Sequence, residues 1–336
     1  MDRNLFEFLE RRSVEMEICK SGGCMTKLPG SKLIDILNCS ELCRLGQFED
    51  SALLNIGCTD LLFTTDFGPV VGTTPEDAGT IAVLNAISDI YAMGGIPLYA
   101  LIMIIIGNDL DDNERKCLLE TVQKTCKSEN VIVVGGHSII GDKTIVGLSV
   151  IGKKGKNFYK KTNGKLGDIL LLTKPLGTGL GLQAYYNGQL GLEAYFEIMG
   201  IMKKSNKLDE ELLKSDYIHS ITDVTGFGLV GHLSEMLSKN QGAIIFEDNI
   251  PMLECIGNLS YTSLNNEYIA NNIEYARERK RIRWHLDSIK KIALCDPQTN
   301  GPLLISADRR IFNIIKKYNF KYIGEIVEGE DILLQC

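Results

Sequence analysis

The stretch at residues 221–236, ITDVTGFGLVGHLSEM, indicates the fold and the chemistry more directly than any other part of the chain. An apolar run ends at the carboxylate Asp223, and a glycine-rich turn then leads into a segment with helical spacing. Amides at a helix start attract phosphate oxygens, whereas a carboxylate beside them repels those oxygens unless a cation such as Mg²⁺ lies between. The stretch therefore predicts a metal-nucleotide site; capping of the helix by Asp223 is the alternative.

The same arrangement recurs twice earlier in the chain. Residues 61–65 form an apolar run that ends before Asp66, and residues 131–134 form another that leads into a short polar stretch. That stretch contains Gly135, Gly136, His137 and Ser138. Both patterns predict strands that end in turns.

A buried helix is predicted after Thr74, because Thr74 has the N-cap pattern and Pro75 the first helical position, and the next glycine pair should end it. The helix is apolar on almost every side, yet Asn85 and Asp89 lie four residues apart on one face. A buried carboxylate needs a partner, and residues 80–95 contain no lysine or arginine. The pair therefore predicts contact with a metal ion or a ligand; hydrogen bonding to neighbouring backbone is the alternative.

Composition excludes several classes of protein. The chain has 336 residues and a net charge of −7, which argues against nucleic acid as the main partner. Its longest apolar stretch, at residues 96–106, is too short to span a bilayer, and the first residues are too charged for a secretory signal, so no membrane association and a cytoplasmic location are expected. Ten cysteines without a C-x-x-C pair argue against a zinc ribbon or a disulfide framework.

Two blocks of alternating strands and helices flank a basic, polar stretch at residues 153–157, where we predict a domain boundary. Both blocks are predicted to be α/β or α+β. In the second block, the glycine-rich turn at residues 176–181 is a candidate phosphate cradle, although it lacks the residue order of a Walker loop.

A cysteine near the N-terminus is a candidate for chemistry. Cys24 follows two glycines and precedes Lys27 by three residues. A nearby ammonium favours the thiolate, which is the reactive form of cysteine. The spacing predicts a reactive thiol; an incidental neighbour is the alternative.

Taken together, several runs resemble the selenophosphate synthetase family, also called selenide, water dikinase. The runs are TTDF (64–67), NAISDIYAMGG (85–95), GGHS (135–138), LTKPLG (172–177), TDVTGFG (222–228) and DPQT (296–299). They span most of the chain and follow the family's order.

The resemblance implies the two-domain fold of aminoimidazole ribonucleotide synthetases, with α/β and α+β parts. Residues 1–50 would be a flexible segment, 51–155 an α/β nucleotide-binding and dimerisation domain, and 156–336 an α+β domain. The middle domain would form a β-barrel with a second copy, and the apolar run at residues 98–106 independently predicts a homodimer. The implied reaction consumes ATP, water and hydrogen selenide and yields selenophosphate, AMP and orthophosphate.

The resemblance also implies roles for particular residues. Cys24 corresponds to the catalytic cysteine and Lys27 to the essential lysine, which also contacts the nucleotide. The aspartates that would hold Mg²⁺ are Asp50, Asp89 and Asp223, of which Asp50 rests on the resemblance alone. The nucleotide contacts would come from Asp66, Asn85, Gly135, Gly136, His137 and Ser138.

The chain also departs from the family pattern. Met25 and Thr26 replace a glycine and a second cysteine, Glu49 replaces the first of two aspartates, and Pro302 replaces a glycine. These departures bear on the selenium step more than on ATP binding. Two alternatives to an active synthetase therefore stand: a diverged Mg-ATP-binding paralogue with a regulatory or scaffold role, and another phosphotransferase of the same superfamily.

Overall fold

The computed structural model describes residues 49–260 and 267–335. The predictions for Cys24 and Lys27 lie outside these residues. The strands are β1 Ala52–Ile56, β2 Thr59–Pro69, β3 Ile96–Ile106, β4 Ile132–Ile140, β5 Ile145–Lys153, β6 Ile169–Leu172, β7 Ile218–Asp223, β8 Gln241–Phe246, β9 Arg281–Ile282, β10 Leu303–Ala307, β11 Lys321–Glu328 and β12 Asp331–Gln335. The helices are α1 Pro75–Ala92, α2 Asp112–Ser128, α3 Thr178–Tyr186, α4 Leu192–Met202, α5 Glu210–Leu213, α6 Gly228–Met236, α7 Glu267–Arg277, α8 Ile289–Cys295 and α9 Phe312–Ile315.

The first sheet has the order β1-β2-β5-β3-β4, and only β3 and β4 are parallel neighbours. Helices α1 and α2 pack together on one face, where buried side chains such as Leu62, Leu148 and Ile102 form the core. Successive strand residues point to opposite faces, so the alternate residues form a second face. On that face Phe67, Tyr99 and other apolar side chains are exposed.

The second sheet has the order β7-β10-β6-β11-β8-β12-β9 and is covered on both faces. Strand β6 shows why, since Leu170 and Leu172 face one apolar core while Ile169 and Leu171 face another. A strand buried on both sides has no polar alternation, which explains its uniform apolar run.

Helix α1 begins and ends where the sequence predicts. The Thr74 hydroxyl accepts a hydrogen bond from the Asp77 amide at 3.1 Å, and Pro75 occupies the first turn. Gly94, which follows the C-cap, has φ of 71°, a conformation that favours glycine. Helix α1 also contacts β7 of the second sheet, so it connects the two halves of the molecule.

Two predicted strand ends are wrong. Strand β2 continues through Asp66 to Pro69, because Asp66 keeps its backbone pairing to Leu148 and its side chain accepts a hydrogen bond from Asn85. The four residues 135–138, predicted as a turn, lie inside the edge strand β4. Glycine is required at position 136, because a Cβ there would lie 2.2 Å from the Ile102 carbonyl oxygen of β3.

Candidate functional site: a carboxylate cluster between the two sheets

Three aspartates from distant parts of the chain meet between the two sheets. Asp50, Asp89 and Asp223 each offer a carboxylate oxygen, and these oxygens all lie within 4.8 Å of one another. Asp50 precedes β1, Asp89 lies on α1 and Asp223 ends β7. The structure thus brings together all three residues that were predicted to hold Mg²⁺.

Asp223 faces the cluster and does not cap a helix. Helix α6 begins at Gly228, and its N-cap residue Phe227 makes no side-chain capping bond. Gly228 has φ of 66°, and a Cβ there would lie 2.8 Å from the backbone of Cys295, so the turn requires glycine. The tight turn keeps α6 close behind the strand end and leaves the Asp223 carboxylate, 1% exposed, at the cluster.

Asp89 reaches the cluster from the polar face of α1. Its Oδ2 accepts a hydrogen bond of 2.5 Å from the hydroxyl of Thr64, which is buried on β2. A neutral hydroxyl orients a carboxylate without cancelling its charge. Thr64 therefore fixes the orientation of this carboxylate within the cluster.

Asp50 is held by a buried lysine. Lys161 Nζ lies 2.8 Å from Asp50 Oδ1 and 3.0 Å from Glu235 Oε2, and the side chains of all three residues are at most 7% exposed. Thr222 donates a second hydrogen bond to the same Asp50 oxygen at 3.0 Å. The opposite carboxylate oxygen, Oδ2, is buried without a hydrogen-bond partner in the described part of the chain.

Burial and charge shift the pKa values around the cluster. Burial raises the pKa of Asp50 to about 7; the nearby Asp223 adds to the increase and Lys161 opposes it. Burial also disfavours the charged forms of Lys161 and Glu235. Nevertheless Asp50 and Glu235 keep the pKa of Lys161 above its ordinary value, and Lys161 with His232 keeps that of Glu235 below its own. The lysine and glutamate are therefore charged at neutral pH, while Asp50 is poised to lose a proton.

The donor set fits a hard divalent cation. Carboxylate oxygens are the ligands that Mg²⁺ and Mn²⁺ prefer. Asp50 Oδ2 and Asp223 Oδ2 are both buried and have no hydrogen-bond partner among residues 49–260 and 267–335. Buried carboxylate oxygens without donors are costly, and a cation would remove that cost. The observed geometry thus agrees with the predicted chemistry.

Asn85 joins the two halves of the molecule beside the cluster. Its Nδ2 donates to Asp66 Oδ2 at 2.6 Å, and its Oδ1 accepts from the Asn300 backbone amide at 2.6 Å. Asn85 thus bonds one side chain and one backbone amide of the protein, whereas Asp89 joins the acids. The Asn85 side chain thereby links β2 to the loop after α8.

The glycine-rich stretch at residues 135–138, which was predicted to contact the nucleotide, lies across the first sheet from Asp66. Gly136 is in register with Ile102, Leu148 and Asp66 across four strands. Three strand spacings of about 4.8 Å place it roughly 14 Å from Asp66. By strand alternation, Gly136 and Ser138 belong to the helix-covered face, and Gly135 and His137 belong to the open face.

The candidate phosphate cradle at residues 176–181 is already paired within the protein. The amides of Gly179 and Leu180 each donate to Asp296 Oδ2 at 3.1 Å. Gln298 Oε1 accepts from the amides of Gly177 and Thr178, also at 3.1 Å. The start of α3 therefore fastens the loop that contains residues 296–300, and the cradle interpretation is wrong.

Sequence reasoning missed Lys161 and Glu235. Lys161 lies in a polar stretch without periodicity, just after the predicted boundary at residues 153–157, so no local signal marks it. Glu235 did carry a signal, because it is the one acid in helix α6, whose residues are almost all buried. Among the described residues, none of the helices has the length and apolar character that a membrane span needs.

Known proteins similar to the chain place it in a family. AIR synthase related protein domains match it over most of its length, the N-terminal domain at residues 48–153 and the C-terminal domain at 165–335. A selenide, water dikinase of Clostridium botulinum (strain Alaska E43 / Type E3) is 31% identical, over 94% of this chain and 96% of the relative. Another, from Campylobacter jejuni subsp. jejuni serotype O:2, is 36% identical over 87% of each chain.

The fold also has a solved counterpart. Thiamine monophosphate kinase from Aquifex aeolicus superposes with a TM-score of 0.64 at 19% identity, over 92% of this chain and 100% of that chain. This likeness confirms the predicted two-domain, mixed α/β fold. The sequence identities to the dikinases decide the family: the chain belongs to the selenide, water dikinase family, within the AIR synthase related proteins.

Proposed function

We propose that this enzyme makes selenophosphate from hydrogen selenide, ATP and water, and releases AMP and orthophosphate. The observation that carries the proposal is a cluster of three aspartates in a chain that is 31–36% identical to selenide, water dikinases. A polyphosphate with two bonds to cleave brings several negative charges, which acids can gather only through bridging cations. A chain that merely bound a small neutral ligand would have no need of such a cluster.

In this proposal Asp50, Asp89 and Asp223 hold Mg²⁺. The bound metal would neutralise the phosphate oxygens and orient them for displacement. Support comes from the buried oxygens of Asp50 and Asp223 that lack donors among the described residues. Asp66 and Asn85, linked to each other at the edge of the cluster, contact the nucleotide in this proposal.

Cys24 and Lys27 supply the selenium step in this proposal. The Cys24 thiolate contacts the selenium substrate, and the Lys27 ammonium stabilises the negative charge of the selenium compound beside it. Lys27 also contacts the phosphates of ATP, so it contributes to both binding and turnover. Residues 135–138 complete the nucleotide contacts.

The experiment is ³¹P NMR of the full-length chain incubated anaerobically with ATP, Mg²⁺ and selenide. We expect AMP, orthophosphate and a selenophosphate resonance, all dependent on selenide. Cys24→Ala should abolish these products and leave Mg-ATP affinity nearly unchanged, because a small thiol contributes little to holding a triphosphate. ATP binding without selenide-dependent products in the unsubstituted protein would contradict the proposal and favour the paralogue with a regulatory role.

A second copy of the chain completes the structure in our proposal. The open face of the first sheet exposes apolar side chains, including Phe67 at 58%, Leu101 at 46% and Ile132 at 58%. Patches of this kind are rare on monomers, and pairing two such faces would form the β-barrel of a homodimer. Sedimentation should show a dimer; a monomer at micromolar concentration would contradict it.

We also propose that the chain divides into residues 1–50, 51–155 and 156–336, and the positions of the two sheets support this division. The first sheet lies within the second part and the second sheet within the third. The cytoplasmic location stays a prediction.

A further inference from the structure

Lys161 lies beneath the carboxylate cluster, at the start of the short 3₁₀ turn Lys161–Asn163, and each of its polar groups has a partner. Its Nζ contacts Asp50 and Glu235 at 2.8 and 3.0 Å. Its backbone amide donates to Glu49 Oε2 at 3.0 Å, and its carbonyl oxygen accepts from the Ser220 hydroxyl at 2.5 Å. A residue bonded in this way has one orientation, and it fixes the residues that contact it.

The contacts decide which oxygen of Asp50 faces the cluster. Oδ1 accepts hydrogen bonds from both Lys161 and Thr222, whereas Oδ2 is buried and has no hydrogen-bond partner in the part of the chain that the structure describes. A carboxylate anchored through one oxygen presents the other in a fixed direction. Asp50 therefore offers one oriented oxygen to a cation.

Glu235 keeps Lys161 in place from the opposite side. Its Oε1 accepts a hydrogen bond of 2.5 Å from the Tyr275 hydroxyl, and its Oε2 lies 3.4 Å from His232 Nδ1 as well as 3.0 Å from Lys161. Both oxygens of Glu235 are thus fixed by neighbours. Because Lys161 is shared between two carboxylates, it orients Asp50 without fully cancelling its charge.

We propose that Lys161, held by Glu235, is a positioning residue that orients Asp50 toward the metal and links the side chains of Glu49 and Asp50 to β7. This inference rests on the proposed function, in which Asp50 is a metal ligand. In this inference Lys161 and Glu235 act on the metal through Asp50.

If Lys161 acted only through its charge, its removal would change the metal affinity in the opposite direction. A lysine close to a cation site repels the cation, so its removal alone would tighten metal binding. A positioning role predicts weaker binding, because Asp50 then loses its fixed orientation. Loss of partners that orient metal ligands typically lowers metal affinity by roughly 10–100-fold.

The experiment measures Mn²⁺ binding to the full-length chain by electron paramagnetic resonance, without ATP or selenide. The test variant is Lys161→Met combined with Glu235→Gln, which removes the shared cation together with one of its two acids and so leaves the net charge of the three buried residues unchanged. We expect its Kd to rise at least about tenfold at an unfolding temperature near that of the unsubstituted protein. Lys161→Arg, which retains the cation, should recover part of the affinity.

Lys154→Met is the matched control. Lys154 forms an ion pair of 3.0 Å with Asp60, and both side chains are partly exposed. Its replacement makes the same chemical change without touching the cluster, so the Kd should stay within about twofold.

The outcomes separate this inference from the proposed function. If the double variant binds Mn²⁺ as tightly as the unsubstituted protein, or more tightly, Lys161 does not position Asp50 and the inference is wrong. Asp223→Asn tests the metal site independently of Lys161. If that variant also binds normally, the proposed metal site fails and the inference fails with it.

Discussion

The carboxylate cluster and the start of α3 both contain a glycine-rich turn that leads into a helix, and each was a candidate for binding phosphate. An aspartate lies beside each turn in the fold: Asp223 ends the strand before α6, whereas Asp296 comes from a distant part of the chain. At α3 the Asp296 carboxylate and the Gln298 amide accept from the helix amides, so the turn is satisfied within the protein. At the cluster, Asp223 leaves a buried oxygen without a donor among the described residues.

The comparison teaches that an acid beside a glycine turn does not by itself indicate a ligand site. The two regions differ in the hydrogen-bond donors that surround the carboxylate. Burial raises the pKa of Asp296 to about 7, as it does for Asp50, so pKa alone does not separate them. Asp296 has three donors on one oxygen and is structural, whereas an acid with a buried oxygen that lacks a donor can bind a cation.

The largest expected effect is on metal binding at the cluster. Asp223→Asn should raise the Kd for Mn²⁺ on the order of 100-fold, about 2.7 kcal/mol, because the site loses a charged ligand. The metal-free protein should be equally stable or more stable, since the substitution removes repulsion within a group of acids. Calorimetry gives the affinity and thermal unfolding the stability; unchanged affinity would mean that the two regions do not differ as described.

At the start of α3 we expect a substitution to lower stability and to leave metal affinity unchanged. Asp296→Ala should lower the free energy of unfolding by about 2 kcal/mol, because it leaves the buried amides of Gly179 and Leu180 without their acceptor. Mn²⁺ affinity should change by less than about twofold, because Asp296 is not part of the acid cluster. Asp296→Asn, which keeps an oxygen acceptor, is the matched control and should cost less in urea unfolding. A loss of metal affinity that equals that of Asp223→Asn would remove the distinction.

The smallest expected effect is the dependence of metal affinity on pH. The pKa of Asp50 is raised to about 7, so its proton must leave before the carboxylate binds a cation. Affinity should therefore rise by roughly tenfold from pH 6 to pH 8, and binding at pH 7 should release about half a proton. Calorimetry in two buffers of different ionisation enthalpy measures that proton; its absence would show that Asp50 is already ionised in the metal-free protein or that it binds no metal.

The raised pKa of Asp50 has the opposite effect on the stability of the metal-free protein, which decreases as the pH rises. The folded state binds the Asp50 proton more tightly than the unfolded state does, because its pKa is higher than that of an exposed aspartate. The contribution of Asp50 to stability is therefore fully present below about pH 4 and is lost as the pH rises through about 7. Bound metal would reverse this trend by favouring the ionised form.

The sequence by itself determined the elements whose signals are local. The cap at Thr74, the apolar surface of α1 and the glycine turn before α6 were all predicted, because capping, helical periodicity and glycine conformations depend on neighbours within a few residues. The same patterns identified Asp89 and Asp223 as candidates. Asp50 and the reaction rested on the resemblance, because no local pattern marks them.

Only the tertiary structure decided which acids have partners. Asp50, Asp89 and Asp223 are far apart in sequence, and their approach depends on how α1 packs against β7. The donors that separate a metal site from a structural bond, Lys161 at Asp50 and the α3 amides at Asp296, come from elsewhere in the chain. Hydrogen bonding of a buried carboxylate is set by the groups that surround it in space, which local sequence does not encode.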